Sequence, residues 1–283
     1  MVHYIENEYF RVGVKEAGCE LTSIYSKKAS FEYLWQGDEN IWYGQAPILF
    51  PIVGRLIEDK YTLGGAEYEM PKHGFARKIN WEFLENTGKE MKFILRNTDD
   101  TYKIYPFAFD LMVTYTLSEK RLTVSHDIIN KSADTMYFSL GAHPAFNCNI
   151  GDKLVFDEKE TLETEKIDLV KSLRLPETFP VMNNETDLVI TENIFKEDAL
   201  IFKGVKSDCI TLESGGRTVR FNLGNAPYLG IWAKPGAPYV CIEPWYGVND
   251  SQTKKDDFSQ KDAINALSAG EKFNFTWWAE FSE

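Results

Sequence analysis

The sequence predicts an all-β protein, a large antiparallel β-sandwich with few short helices, and three features carry that expectation. The dominant hydrophobic period is two rather than 3.6, turn-forming stretches recur between the alternating runs, and almost no segment shows an apolar stripe at helical spacing. The 283 residues fit one such domain over 1–283, because all-β folds of this size often form a single unit. Apolar residues make up 43% and aromatics 14%, a globular balance enriched in the rings that pack well on pleated surfaces.

Along the chain, NTGKE (86–90) marks an early turn, and IYPFAFDLMVTYTLS (104–118) then alternates apolar and polar residues. SEKR (118–121) turns that run into RLTVSHDIIN (121–130), and TMYFSLGA (135–142) follows. SGGR (214–217) leads into RTVRFNLG (217–224), while KPGAP (234–238) joins LGIWA (229–233) to YVCIEP (239–244). At the end, Phe273, Phe275, Trp277, Ala279 and Phe281 alternate with Asn274, Thr276, Trp278 and Glu280, a strand with one buried face. Only KKDDFSQKDAINALSAGE (254–271) reads as a helix, with Phe258, Ala263 and Leu267 at helical spacing. No repeat, low-complexity tract or Ser/Gly linker divides the chain. Without strand–helix alternation, GxGxxG or a P-loop, a doubly wound nucleotide fold is excluded.

A formal charge of −12 and the lack of Lys/Arg clusters argue against nucleic acid as a partner. No segment approaches the roughly 20 apolar residues that cross a bilayer, so no membrane partner is expected. The opening MVHYIENEYFRVGV lacks a basic stretch followed by an apolar run, which predicts a cytoplasmic protein. Cys19, Cys148, Cys209 and Cys241 lack CxxC spacing and are expected as free thiols. No HExxH and no close Cys/His spacing occurs, so no catalytic metal is expected. Nothing in the sequence specifies an oligomeric state.

Two stretches share one design. In TMYFSLGAHP, Met136, Phe138, Leu140 and Ala142 alternate with Tyr137, Ser139, Gly141 and His143, which puts His143 on the polar face just before Pro144. In YVCIEPWYG, Val240 and Ile242 face the core, so Glu243 shares the other face with Tyr239 and Cys241, again just before a proline, Pro244. A proline holds the preceding residue extended and ends the ladder for lack of an N–H. Two titratable groups at such strand ends can approach closely enough for acid–base work, although each alone reads equally as a satisfied rim residue.

GAHPAFN (141–147) and CIEPWYG (241–247), with FPIVGRL (50–56) and KHGFARKINWEF (72–83), resemble the landmarks of the aldose 1-epimerase (galactose mutarotase) family, particularly its LacX-type branch. The four motifs stand in the family's order. The resemblance implies an extended β-sandwich, a hexose substrate, and α/β anomer exchange by acid–base ring opening without any cofactor. It implies Glu243 as general base, His143 as general acid, His73 as a second histidine near the ring oxygen, and Arg55 as a ligand for sugar hydroxyls. Asp198 in KEDALIF is the best match for the family's hydroxyl-binding aspartate. Where the family commonly has His-x-Tyr-Phe-Asn, this chain has His143-Pro144-Ala145-Phe146-Asn147.

The chemistry asks for one base at the C1 hydroxyl and one acid at the ring oxygen. A carboxylate of ordinary pKa about 4.3 and an imidazole of about 6.5 can serve, and an ionised Glu243 would favour the imidazolium. Arg77 lies near His73 in sequence, and if it and Arg55 both face the pocket the substrate is a phosphorylated sugar, as in the related hexose-6-phosphate epimerases. Trp245 and Tyr246 can stack on a pyranose or fill the sandwich edge. Trp35 and Trp42 read as core, His126 as a buried or edge histidine, and His3 as part of a mobile terminus. Two rivals remain. A glycosidase would pair Glu243 with a carboxylate about 5–10 Å away, and a carbohydrate-binding protein on the same scaffold would leave anomer exchange at its spontaneous rate.

Overall fold

The computed structural model describes residues 1–253 and 257–282. Its backbone is a nine-stranded antiparallel sheet with smaller sheets packed on its inner face. The nine strands run in the spatial order Arg174–Val189, Lys153–Ile167, Cys209–Ser214, Arg217–Asn222, Lys272–Ser282, Arg121–Asn130, Phe109–Ser118, Glu90–Arg96 and Glu82–Asn86. The alternation at 273–281 emerges as expected: Phe275, Trp277, Ala279 and Phe281 are buried, and the strand pairs with Arg121–Asn130 through registers such as Val124↔Trp277.

Two further sheets complete the sandwich. A four-stranded sheet begins with Val2–Glu6, and a five-stranded one is built around Tyr239–Tyr246. Their contacts with the large sheet are aromatic. Phe10 meets Phe281 at 5.3 Å, Phe146 meets Phe221 at 5.8 Å, and Tyr246 meets both Phe273 and Phe275 at 5.1 Å. Phe10, Phe146, Phe221 and Phe281 are almost fully buried, each worth roughly 1.5–3 kcal/mol of transfer free energy. The sandwich therefore rests on ring packing between layers. All four cysteines are free and buried, and no described helix is long and apolar enough to cross a membrane.

Several expectations need correction. The stretch 254–271 is not a helix: 254–256 lie outside the described residues, Phe258–Gln260 is a single 3₁₀ turn, and Asn265–Leu267 is a strand paired with Met136–Phe138. Ala263 between them has φ +56, which no helix permits. Tertiary pairing overrode a weak helical period. Asp99–Ile104 is instead a short helix, closed at Thr98 by a capping box with Thr101, and the strand following it begins only at Phe109. His3 is not mobile, because its ring stacks on Phe83 at 3.8 Å and bonds Glu16 at 2.8 Å. The long hairpin Lys153–Ile167/Arg174–Val189 escaped the sequence reading. Both faces of Arg174–Val189 meet solvent over much of its length, and on the buried face of Lys153–Ile167 the polar Glu160 and Thr164 interrupt the apolar alternation of Leu154, Phe156 and Leu162.

His126 is buried, as its alternating run implied. It stacks on Phe275 at 5.2 Å, its Nδ1 has no hydrogen-bond partner among the described residues, and burial pushes its pKa down to about 4. The folded state thus disfavours the charged ring, while the unfolded chain titrates near the ordinary value of about 6.5. A depressed folded pKa gives stability that is full above the unfolded value and is lost as pH falls toward the folded one. Between pH 7 and pH 4, chemical denaturation should show wild type losing roughly 3 kcal/mol relative to His126→Phe. A parallel pH dependence in the two proteins would contradict a neutral buried imidazole.

Candidate active site

The site grows from one irregularity in the five-stranded sheet. Leu140–Gly141 pairs with Tyr246 and Trp245, and Ala145–Asn147 pairs with Cys241, Val240 and Tyr239. Counting inward from Gly141↔Trp245 and Ala145↔Cys241 sets His143 directly opposite Glu243. The flanking hydrogen bonds run from Ala142 N to the Pro244 carbonyl and from Ile242 N to the Pro144 carbonyl, both 3.2 Å. His143 and Glu243 thus occupy a position without ladder bonds of its own, where cross-strand side chains stand closest. His143 Nε2 lies 3.1 Å from Glu243 Oε2.

The same register explains the glycines beside the pair. Trp245 lies across both neighbouring strands and donates its indole N–H to Glu243 Oε2 at 3.2 Å. A Cβ at Gly141 would come within 2.8 Å of that ring, and one at Gly230 within 2.6 Å. Only glycine leaves room for the indole. The two neighbours therefore clamp Trp245, and Trp245 holds the carboxylate.

His73 enters from a turn. It has φ +65, its N–H donates to the Gly54 carbonyl at 2.7 Å, and its Nδ1 accepts the Gly54 N–H at 3.1 Å. With Nδ1 occupied as an acceptor, the neutral ring carries its proton on Nε2. Burial holds its pKa well below the imidazole value, aided by the nearby charges of Lys72 and Arg77. His73 is therefore a neutral hydrogen-bond donor. Its ring meets the edge of His143 at 6.0 Å.

Around these groups lies a cleft of about 270 Å³, near the small end of ligand pockets. Trp42, Trp232 and Trp245 supply aromatic walls, and Lys72, Arg77, Asp198 and Asn249 the polar ones. Trp42 stacks on His143 at 5.1 Å and Trp232 meets the same ring at 5.9 Å. Asp198, with φ +76, spends Oδ1 on its neighbour's backbone N–H.

Of the residues singled out in the sequence, Glu243, His143, His73, Arg77, Asp198 and Trp245 come together here. Arg55 does not. Its guanidinium forms a two-point bond to Asp59, with Nε and Nη2 at 2.7 and 2.6 Å, and it does not line the cleft. Lys72 is the cation that joins Arg77 instead. Trp42, read as core, is a wall of the cleft, whereas Trp35 is buried as expected. Tyr246 fills the sandwich edge, its hydroxyl donating to the Gly224 carbonyl. Lys72, Trp232, Trp42, Asn249 and Ile167 were missed. Lys72 lay inside a quoted motif, and Trp232 on a strand already recognised, but Trp42 comes from an irregular segment with no periodicity to read.

Burial dominates the electrostatics. It pushes Glu243 well above the carboxylate range, with the Trp245 bond opposing, and it pushes His143 down to about 3, with Arg77 and Lys72 adding to the effect. The expected resting imidazolium beside an ionised Glu243 is therefore reversed, since both charges would be desolvated. Burial thus favours a pair that shares one proton and leaves both groups uncharged. Lys72 is depressed by burial, and among the described residues its Nζ has only a 3.4 Å contact with Ser172 Oγ. Arg77 bonds the Lys72 carbonyl through Nη2, while its buried Nε has no partner among the described residues. Such a site can exchange a proton with two oxygens of one ligand and hold an anionic group beside them.

A family model described as aldose 1-epimerase matches residues 1–261. The plasmid-encoded protein LacX of Lactococcus lactis subsp. lactis is 33% identical over 280 residues, 93% of either chain. A crystal structure of a galactose mutarotase related enzyme from Lactobacillus acidophilus superposes with a TM-score of 0.95 at 30% identity, covering 100% of this chain and 98% of that one. A galactose mutarotase-like protein from Lactobacillus casei gives 0.94 at 29% identity over the whole of both chains.

The glycine clamp makes a direct prediction. Gly230→Ala should cost about 1–3 kcal/mol in chemical denaturation, because the new Cβ overlaps the indole. Combining it with Trp245→Leu should remove most of that cost in a double-mutant cycle. Additive losses would show that the clamp is not the reason for glycine.

Proposed function

The chain belongs to the aldose 1-epimerase family, and from that premise we propose that it interconverts the α and β anomers of a hexose by opening and reclosing the pyranose ring. The observation that carries this reading is the 3.1 Å separation of His143 Nε2 and Glu243 Oε2. The two oxygens that must exchange protons are both bonded to the anomeric carbon. An acid and a base this close can address both.

Glu243 takes the proton of the C1 hydroxyl while His143 protonates the ring oxygen. The C1–O5 bond breaks, the aldehyde turns about C1–C2, and closure on the other face reverses both transfers. The working form, carboxylate and imidazolium, contains the same single proton as the resting pair, so it is reached by transfer along their contact. Neutral His73 donates from Nε2, and Asp198 accepts from sugar hydroxyls. Trp42, Trp232 or Trp245 cover an apolar face of the ring. Each positioned acid or base contributes on the order of 10²–10⁴ in rate.

A second reading concerns the substrate. Lys72 and Arg77 line the cleft without a close ion pair to a carboxylate among the described residues, although Asp198 lies in the same cleft, and half-buried cations left this way favour an anionic ligand. This supports a phosphorylated hexose, with Lys72 in the part first given to Arg55. Lys72→Met should then raise KM for a hexose 6-phosphate at least tenfold more than for the free hexose. Equal effects on both would favour the free sugar.

Polarimetry of fresh α-anomers provides the main test. Glu243→Gln should lower kcat by about 10²–10⁴ while sugar binding persists, and undiminished turnover would exclude Glu243 as base. Exchange at the buffer rate in wild type would make the protein a binding module. The pH profile has a definite shape. Activity requires the singly protonated pair, so the acid limb appears only as a second proton enters, governed by the depressed His143, and the alkaline limb as the last proton leaves the raised Glu243. A plateau should therefore span neutrality, and an acid limb centred near about 6.5 would contradict the burial argument.

A further inference from the structure

Beneath the acid–base pair lies a donor that anomer exchange does not use. Cys241 stands two residues before Glu243 on Tyr239–Tyr246, so both side chains leave the same face of the strand. A His143 ring nitrogen, Cys241 Sγ and a Glu243 carboxylate oxygen lie within 4.8 Å of one another, and all three residues are buried. Burial keeps the thiol protonated in the free protein.

We propose that His143, Cys241 and Glu243 form a site for a soft divalent cation of the Zn²⁺ class, and that this cation occupies the acid–base pair in place of the sugar. Zinc bonds imidazole, carboxylate and thiolate at about 2.0–2.3 Å, so tetrahedral ligands stand roughly 3.3–3.8 Å apart. The 3.1 Å between His143 and Glu243 is already close to that spacing, and Cys241 Sγ needs to move by at most about an ångström. The thiol proton and the pair's single proton leave to water as the metal enters. No electron is transferred. The thiolate and carboxylate together neutralise the 2+ charge. Sulfur and imidazole favour zinc over magnesium or calcium. Lys72 and Arg77 line the same cleft and oppose a cation, so binding depends on both anionic ligands being present. The site is thus a reversible brake rather than a cofactor site.

Metal binding does not depend on the proposed epimerase activity; only the inhibition does. Equilibrium dialysis against Zn²⁺ alone should give one bound ion per chain, and Co²⁺ should produce a thiolate-to-metal charge-transfer band. Cys241→Ala should abolish the band and weaken Zn²⁺ binding at least tenfold in a protein that still folds and exchanges anomers. Cys148→Ala, which alters the neighbouring buried thiol, should keep the band. In wild type, Zn²⁺ should inhibit competitively with sugar, and Cys241→Ala should resist it. No bound metal, or equal binding in Cys241→Ala, overturns the proposal. A Cys241-dependent cobalt band in a protein without exchange activity would uphold the metal site while removing the epimerase reading.

Discussion

The rest of the site depends on a single register: His143 opposite Glu243 across neighbouring antiparallel strands. A slip of one residue would turn one of the two side chains to the opposite face of the sheet. The ladder is secured on both sides, by Gly141↔Trp245 and by Ala145↔Cys241, and interrupted only between them. Pro144 and Pro244 fall within that interruption. They remove donors where the ladder must end and hold His143 and Glu243 extended. Sheet geometry, rather than a flexible loop, thereby sets the distance between an acid and a base a hundred residues apart.

Packing around that pair gives it its chemistry. Trp42 and Trp232 exclude water from His143, and Trp245, seated between two glycines, fixes Glu243. Removing water from both titrating groups drives their pKa values in opposite directions, a pattern that marks acid–base sites. Desolvation alone would make a pair of charges costly, and sharing one proton avoids that cost at rest. The cations Lys72 and Arg77 outnumber the further carboxylate Asp198 in the same lumen, so the cleft combines a neutral reacting pair with a wall of net positive charge. A sugar bearing an anionic group meets both features at once.

Much of this was legible in the sequence, for physical reasons. Strands with one buried face declare themselves by alternation, and 273–281 did so clearly. The prolines after His143 and Glu243 singled out those residues, and their shared face followed from the period of two. What the alternation could not reveal was that the polar face is itself buried: Ser139, Gly141 and His143 lie under a second layer. That layer is what reverses the resting protonation. Arg55 stands outside the cleft lining because Asp59 four residues on captures its guanidinium, which a basic residue after a glycine does not disclose. Trp42 was given to the core because an aromatic in an irregular segment has no face to read. The helix placed at 254–271 failed because three apolar residues at helical spacing are weaker than one strand pairing.

The central claim is that burial holds the opposed pair with a single proton and His143 uncharged at rest. The most direct measurement is ¹⁵N NMR of the histidine-labelled protein, with the His143 signals assigned by substitution and followed from pH 5 to pH 8. The account predicts neutral-imidazole shifts that do not change over that range. A titration centred near the ordinary value of about 6.5 would contradict it.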